Sequence, residues 1–551
     1  MLLGIDVGGT HTDAVLVDSS GIVSSFKTKT EHDNLLRSIT TALEKVSAGI
    51  DRKKITNINL STTLSTNAIV EQKLEKTGVF ISSGPGLNPE NIIMGDFTFI
   101  IPGSIDHRGR VVQELDNEKL QKGYEACRKQ DVKVFASVTK FSTRNDSQEK
   151  EISGMIKPVS DFTTEGHSLS SQLSFPRRVA TAYYNSAVWR IYNNFADAIL
   201  KSVKNLGIDA PVNILKADGG TLPVSMSREF PVESILSGPA ASIMGIIALC
   251  NITEDSVILD IGGTTTDIAV FVFGAPLIER DGISLGGYPT LIRSLKNRSI
   301  GIGGDSAITV KDGKVCVGPH RYGPCMADGG KRPSLIDAMN VRGITEYGDS
   351  KKSSEGINKL SETAGLPVKK LAEEAVNYAV QRIKDEIRSM LDEINQKPVY
   401  TIHEMIEGIT VKPSRTYIIG GPAMALAKLL NHGTEVTVPE NYEVANAVGA
   451  ALARPTFEAE LFADTGSGKM IIPNIGIEKN VDIKYSTKDA KEDAIRYLIE
   501  YLKKKGLRTE SKDIDIIESS CFRMISDFHS SGNDIRIKCQ IKPEVAMKLH
   551  A

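Results

Sequence analysis

The sequence predicts a layered α/β fold made of two related domains and a small C-terminal α+β appendage. Short apolar, β-branched runs alternate with amphipathic helical stretches along most of the chain, which is the pattern of α/β layers. A glycine turn near the N terminus recurs half a chain later in nearly the same letters. Beyond about residue 460 the composition changes: glycine thins out while Lys and Asp rise. The expected divisions are residues 1–175, 176–458 and 459–551.

The elements follow in order. Leu3–Val7 reads as a strand, Gly8 to Asp13 as a turn and Ala14–Leu16 as its return. Leu35 to Val46 has helical spacing. Val79–Ile81 and Val132–Ala136 read as buried strands. Residues 176–206 form one helical stretch containing the single Trp, Trp189. Leu215 to Gly220 is a strand ending in a glycine turn, and 256–273 is a second hairpin. Residues 355–396 read as helix, with Leu371, Ala375, Ala379, Ile383 and Ile387 at i, i+4 spacing. Tyr417–Ile419 is a strand that meets Gly420-Gly421-Pro422 and then a helix from Ala423 to Leu430. Val436–Val438 is a short strand, followed by a helix from Val444. In the appendage, Asp489 to Lys505 is a charged amphipathic helix, and Ile514–Ser520 and Ile535–Ile541 are strands.

Bulk properties exclude several classes. The chain has 551 residues, room for three or four domains at ~150 residues each. Its 66 Lys and Arg oppose 68 Asp and Glu, a formal net charge of −2, which argues against a nucleic-acid binder. No apolar run is long enough to cross a bilayer. Met1 to Asp6 lacks a basic leader segment, so a cytoplasmic protein is expected. The six cysteines include no C-x-x-C pair, which disfavours a disulfide scaffold or a zinc ribbon.

The repeated turn carries the chemistry. The first copy is Asp6-Val7-Gly8-Gly9-Thr10-His11-Thr12-Asp13 and the second is Asp260-Ile261-Gly262-Gly263-Thr264-Thr265-Thr266-Asp267. Glycines let a backbone approach a ligand, and successive amide N–H groups in such a turn bind anions. The Thr hydroxyls add donors. Asp6 and Asp260 end their strands beside the turns. A carboxylate next to a phosphate site calls for a cation, and Mg²⁺ is the usual one. Gly301-Ile302-Gly303-Gly304 and Gly420-Gly421-Pro422 are further candidates for the same cradle.

The order of these motifs resembles the two phosphate motifs and the adenosine motif of the actin/hexokinase/Hsp70 ATPase superfamily. Within it, the details resemble the hydantoinase A/5-oxoprolinase family. The segments that carry the likeness are the opening DVGGTHTDAVLVD, Ser61 to Ala68, Ala217-Asp218-Gly219-Gly220, Ser234 to Ala241, Val317-Gly318-Pro319 and Leu335 to Ala338. They run in family order from residue 1 to about 455. The resemblance implies two actin-like (ribonuclease H-like) domains around a nucleotide cleft, with ATP and Mg²⁺ as cofactors. It implies Gly8, Gly9, Thr10, His11 and Thr12 on one side of the phosphates and Gly262, Gly263, Thr264, Thr265, Gly303 and Gly304 on the other. Gly420, Gly421 and Pro422 would meet the nucleoside, and Asp6 and Asp260 would serve catalysis and the metal. Thr62, Thr63, Asn67, Arg178, Asp218 and Gly219 are its candidates for substrate contact. The implied reaction is phosphorylation of a cyclic amide carbonyl, hydantoin- or oxoproline-like, followed by ring opening. A hydantoinase B-like partner subunit and an oligomer are expected.

The departures bear on the substrate. The family's longer loop after its VGP is reduced to His320 to Gly330, Pro176-Arg177-Arg178 replaces an expected Glu-Arg, and the C-terminal portion differs. These changes keep two alternatives open: a ketone carboxylase subunit, and an ATPase switch acting on a partner protein. Smaller signals have blander readings. Asp464 to Met470 lacks the glycine and hydroxyl positions of a P-loop and reads as a linker. His320, Cys325 and Asp328 match no zinc spacing. Lys503 to Lys505 is a solvated helix end.

Overall fold

The computed structural model describes the whole chain except residues 32–33, 280, 397–409, 432, 527–528, 542 and 550–551. Leu2–Val7 (β1) and His11–Asp18 (β2) form an antiparallel hairpin with Asp6 opposite Asp13 and Val7 opposite Thr12. Asn57–Thr62 (β3) pairs parallel with the other side of β1. The six-stranded sheet runs Thr221–Pro223, Val212–Leu215, β3, β1, β2, Gly21–Lys29. Two of its strands therefore come from beyond residue 176, so this sheet reaches across the division expected there. Between its halves the chain builds a parallel four-stranded sheet: Phe162–Glu165, Val134–Thr139, Thr77–Ser82 and Phe97–Ile100.

The helical stretch expected over 176–206 is two helices, Phe175–Ala187 and Trp189–Asn205, joined at Val188. Trp189 stacks on Phe162 at 5.0 Å, anchoring the second helix to the parallel sheet.

The second half repeats the first. Ser256–Ile261 (β4) and Thr266–Val272 (β5) form a hairpin with Asp260 opposite Asp267 and Ile261 opposite Thr266. Arg415–Ile419 (β6) pairs parallel with β4, as β3 does with β1. Glu435–Thr437 extends the sheet beyond β6, and Asn297–Ile300 pairs with the far side of β5. The expected helix over 355–396 is broken into Ser350–Ala364 and Val368–Asn395. Gly365, at φ 65°, and Pro367 end one helix and start the next. Leu371, Ala375, Ala379, Ile383 and Ile387 are buried against the second sheet, as their spacing predicts. The helix after Gly421 is short, Ala423–Ala427.

Two helices join the halves. Ser237–Leu249 (α1) is apolar almost all round and buried among the sheets, and Ala445–Leu452 (α2) lies against it and against β1. Their backbones touch. A methyl on Gly245 would strike the Ala445 carbonyl oxygen, and one on Gly449 the Ala241 carbonyl oxygen. One on Gly4 of β1 would strike the Ala447 carbonyl oxygen.

The C-terminal sheet runs Ile477–Asn480, Lys469–Ile472, Glu458–Asp464, His529–Ile541, Ile514–Ser526. Helix Thr487–Lys504 buries Ala490, Ala494, Leu498 and Leu502 against it. The segment Asp464 to Met470, expected as a linker, is instead a hairpin turn between two of these strands. The Asp464 carboxylate closes it by accepting from the Ser467 amide at 2.9 Å. Among the described residues no helix is long and apolar enough to cross a membrane.

Candidate functional site

The two glycine turns are built alike. The Gly8 amide donates to the His11 carbonyl at 3.0 Å, and the Gly262 amide to the Thr265 carbonyl at 2.9 Å. The turns also meet. A methyl on Gly263 would lie 2.8 Å from the Thr10 methyl group and 3.1 Å from Asp305 Oδ2. Thr10, His11, Thr264 and Thr265 are half-buried, and nothing stands within 4 Å of a side chain added at Gly9. The first turn therefore borders open space on one side and the second turn on the other.

Behind the turns lie the two carboxylates. Asp6 is 5 % exposed and Asp260 is 8 % exposed. Ser61 of β3 donates its hydroxyl to Asp6 Oδ1. Ser242 of α1 donates to Asp260 Oδ2 at 2.6 Å, and Asn446 of α2 donates to the same oxygen at 3.0 Å. Burial pushes Asp6 up to about 7, the Ser61 hydroxyl and the nearby Asn446 amide oppose the rise, and the charges of Asp13 and Asp260 add to it.

The other candidates fall into three groups. Thr63 and Asn67 stand beside the first turn: the Thr63 amide donates to the Val7 carbonyl at 3.4 Å, and Asn67 Nδ2 donates to Thr63 Oγ1 at 3.3 Å. Thr62 is buried next to them, its amide on Ser237 Oγ at 3.0 Å. Gly420, at φ 90°, closes the end of β6 against Asp260; a methyl there would lie 2.8 Å from Asp260 Oδ1. Gly421 faces open space, and Pro422 packs on Gly304.

A second group supports the turns from inside. The Gly303 amide is bonded to Ser306 Oγ at 2.8 Å and the Gly304 amide to the Gly262 carbonyl at 3.0 Å. These two amides hold the second turn in place and have no proton left for a ligand. Thr12 is fully buried, with its hydroxyl 3.1 Å from that of Thr30.

A third group lies elsewhere. Arg178 is fully buried and donates to the Gln172 carbonyl at 2.7 Å and the Thr139 carbonyl at 3.0 Å. Asp218 pairs with Lys216 at 3.0 Å and accepts from the Gly220 amide and Thr456, while Gly219 packs on Met244. Neither side chain makes a contact with the glycine turns among the described residues.

The rim is charged. Burial, then the Lys27 cation, hold the His11 ring down at about 4. Lys29, from the strand after β2, pairs with Asp328 at 2.7 Å, which ties the first half to the loop after Val317. Arg321 pairs with Asp305 at 3.1 Å, and Cys325 is buried with its amide on Asp305 Oδ1. No three His, Cys, Asp or Glu side chains are arranged to hold a metal among the described residues.

Sequence reasoning missed Ser61, Ser242 and Asn446. Asn446 did leave a signal, since it is the one polar residue in the run Ala445 to Leu452.

The hydantoinase/oxoprolinase family profile matches residues 178–459, and the profile of the hydantoinase/oxoprolinase N-terminal region matches residues 2–160. The chain belongs to the hydantoinase/oxoprolinase family. Among this family's curated relatives, caprolactamase subunit alpha of Pseudomonas jessenii is 28% identical over 418 residues. That match covers 67% of this chain and 60% of the relative, so the chain spans well under the relative's full length. The nucleotide-free structure of acetone carboxylase aligns with a TM-score of 0.74 at 16% identity, covering 98% of this chain and 87% of that one. The crystal structure of the ATP-dependent caprolactamase from Pseudomonas jessenii aligns with a TM-score of 0.65 at 20% identity, again covering 98% and 87%. These likenesses establish the fold of the hydantoinase/oxoprolinase chain: two actin-like α/β domains around a cleft.

Proposed function

We propose that this chain is the ATP-using subunit of an enzyme that opens a cyclic amide. The observation that carries the reading is the pair of abutting glycine turns, each rooted on a buried carboxylate, with Gly420 and Gly421 at the edge of the same space. ATP would lie across the two turns with its phosphates on their free amides and Thr hydroxyls and its nucleoside toward Gly421. The family membership and the likeness to caprolactamase subunit alpha support a cyclic amide as acceptor.

The step balances simply. The amide carbonyl oxygen attacks the γ-phosphorus as the bond to ADP breaks. Water then adds to the carbon of the O-phosphorylated amide, the C–N bond breaks as the nitrogen takes a proton, and a second water hydrolyses the resulting acyl phosphate to carboxylate and phosphate. The chain's part is positioning and exclusion of water, the main needs of phosphoryl transfer. Asp6 and Asp260 suit Mg²⁺: with Asp13 they concentrate negative charge beside the turns, and such an ion needs only one or two carboxylates besides phosphate oxygens. When bound, Mg²⁺ neutralises phosphate charge. Ser61, Ser242 and Asn446 fix the direction in which the two acids point. Thr63 and Asn67 stand where an acceptor would approach the first turn.

The word alpha in the relative's name supports a partner subunit, which would be hydantoinase B-like and would complete ring opening in a cytoplasmic oligomer. The test is ADP release by the purified chain with Mg²⁺, alone and with the partner, over a panel of cyclic amides and ketones. Stimulation by one or more cyclic amides is the expected result. Turnover indifferent to every cyclic amide in the presence of the partner overturns the proposal, and stimulation by a ketone alone moves it to carboxylation.

A further inference from the structure

A second cavity, of about 680 Å³ with its mouth included, opens where both halves meet the C-terminal sheet. None of its lining residues belongs to the glycine turns or to the end of β6. Lys216, Glu233, Arg293 and Gln540 supply polar wall, and Leu222 and Phe457 supply apolar wall.

The polar groups are incompletely satisfied. Lys216 Nζ lies 3.0 Å from Asp218 and 3.7 Å from Glu233. That distant lysine is the only ion partner of Glu233 among the described residues, and no hydrogen bond reaches its carboxylate. Arg293 uses one Nη on Glu458, and its other two nitrogens have no partner among the described residues. Gln540 is 6 % exposed, and its side-chain amide is also without a partner there. The Glu233 side chain is a third exposed and that of Arg293 partly so, so these groups meet water at the cavity wall and keep hydrogen-bonding capacity that a polar ligand can take up.

The charge balance narrows what that is. Lys216 and Arg293, with Lys538 at 3.1 Å from Glu458, face Asp218, Glu233 and Glu458. The cluster is neutral, so it favours neither a simple anion nor a simple cation. It offers free donors on Arg293 and a free acceptor on Glu233, beside apolar wall. We infer that this cavity binds a small amino acid, with its carboxylate on Arg293, its ammonium on Glu233 and its methylene chain against Leu222 and Phe457. Gln540 supplies an adaptable donor and acceptor to either end. Ring opening of a cyclic amide yields a molecule of this class, and only that link rests on the proposed function; the binding itself does not.

The test is isothermal titration of the full chain, without nucleotide, with ε-aminocaproate, γ-aminobutyrate and glutamate, and with caproate and hexylamine as controls. At least one of the three amino acids should bind saturably, with each control weaker by about tenfold or more, a difference of about 1.4 kcal/mol. Glu233→Gln should weaken that binding by about tenfold or more, the same difference, while melting like the natural chain. Leu222→Phe, which narrows the apolar side, should weaken it independently. Asp260→Ala should leave it unchanged, because that residue lies in the other cleft. The inference is overturned if no amino acid binds, if caproate or hexylamine binds as tightly, if a folded Glu233→Gln chain binds equally well, or if Asp260→Ala abolishes binding.

Discussion

The two glycine hairpins share a motif, a register and a closing backbone bond, yet their carboxylates are held by different neighbours. Asp6 takes its hydroxyl donor from β3, the parallel strand beside it, and so from within its own sheet. Asp260 takes both of its donors from helices that cross between the halves. The second acid in each hairpin differs too. Asp13 is paired with Lys27 at 2.7 Å, whereas Asp267 lies opposite Ser299 in the strand ladder and has no ion pair among the described residues. Position for position, His11 of the first turn answers Thr265 of the second. A duplicated cradle thus has one side fixed by its sheet and another side fixed by the contact between halves.

The strongest way to break that comparison is Asp260→Ala. ATP turnover should fall by about a hundredfold or more, the scale of losing a fixed electrostatic group, with an unchanged circular dichroism spectrum. Retained turnover would remove the second turn from the site.

Asn446→Leu tests the amide between the acids. It removes one of the donors to the buried Asp260 carboxylate and the amide near Asp6, at a cost of about 1–3 kcal/mol in chemical denaturation. No change in stability would show that neither acid depends on this amide.

Asp267→Asn sharpens the contrast with Asp13. Burial and the Asp260 charge push Asp267 from an ordinary 3.8 up to about 7. Between those values the folded chain keeps a proton that the unfolded chain has released, so this group's contribution falls as pH rises through the window. The uncharged Asn variant should therefore gain melting temperature over the natural chain above 7, and the gain should vanish below 3.8. Burial raises the Asp13 carboxyl too, against the Lys27 cation, so Asp13→Asn should gain in the same direction, less the cost of stranding Lys27.

His11→Thr makes the first turn read like the second. The His11 ring stays neutral in the folded chain down to about 4, against an ordinary 6.5. Its contribution is complete above 6.5 and is lost as pH falls toward 4. The variant's melting temperature should vary less with pH across that window. Lys29→Ala, which cuts an exposed pair with Asp328 between the halves, should cost about 1 kcal/mol or less and raise the ATP KM slightly. A large KM effect would make the rim a true closure.

The hairpins were legible in the sequence because a glycine turn between β-branched runs is a local signal, and two copies reinforce each other. The end of β6 was legible for the same reason. The donors were not. Ser242 reaches Asp260 from 18 residues away and Asn446 from 186, and no local pattern links them. The Asp464 turn went unread because its strand's other neighbour, His529–Ile541, lies far along the chain. Arg178 shows the limit of residue type: a lone arginine on a helix looks equally suited to a phosphate or to buried carbonyls, and here it holds the carbonyls of Gln172 and Thr139. The break at Gly365 and Pro367 was written in the sequence, but the regular apolar spacing after it masked it.

The touching backbones of α1 and α2 have one more consequence. Those helices carry Ser242 and Asn446, so the gap between Asp6 and Asp260 is gauged by side chains that are missing at Gly4, Gly245 and Gly449. A single methyl at any of the three is a shim. It would jack the two halves apart and detune the pair of acids without touching an atom of the cleft.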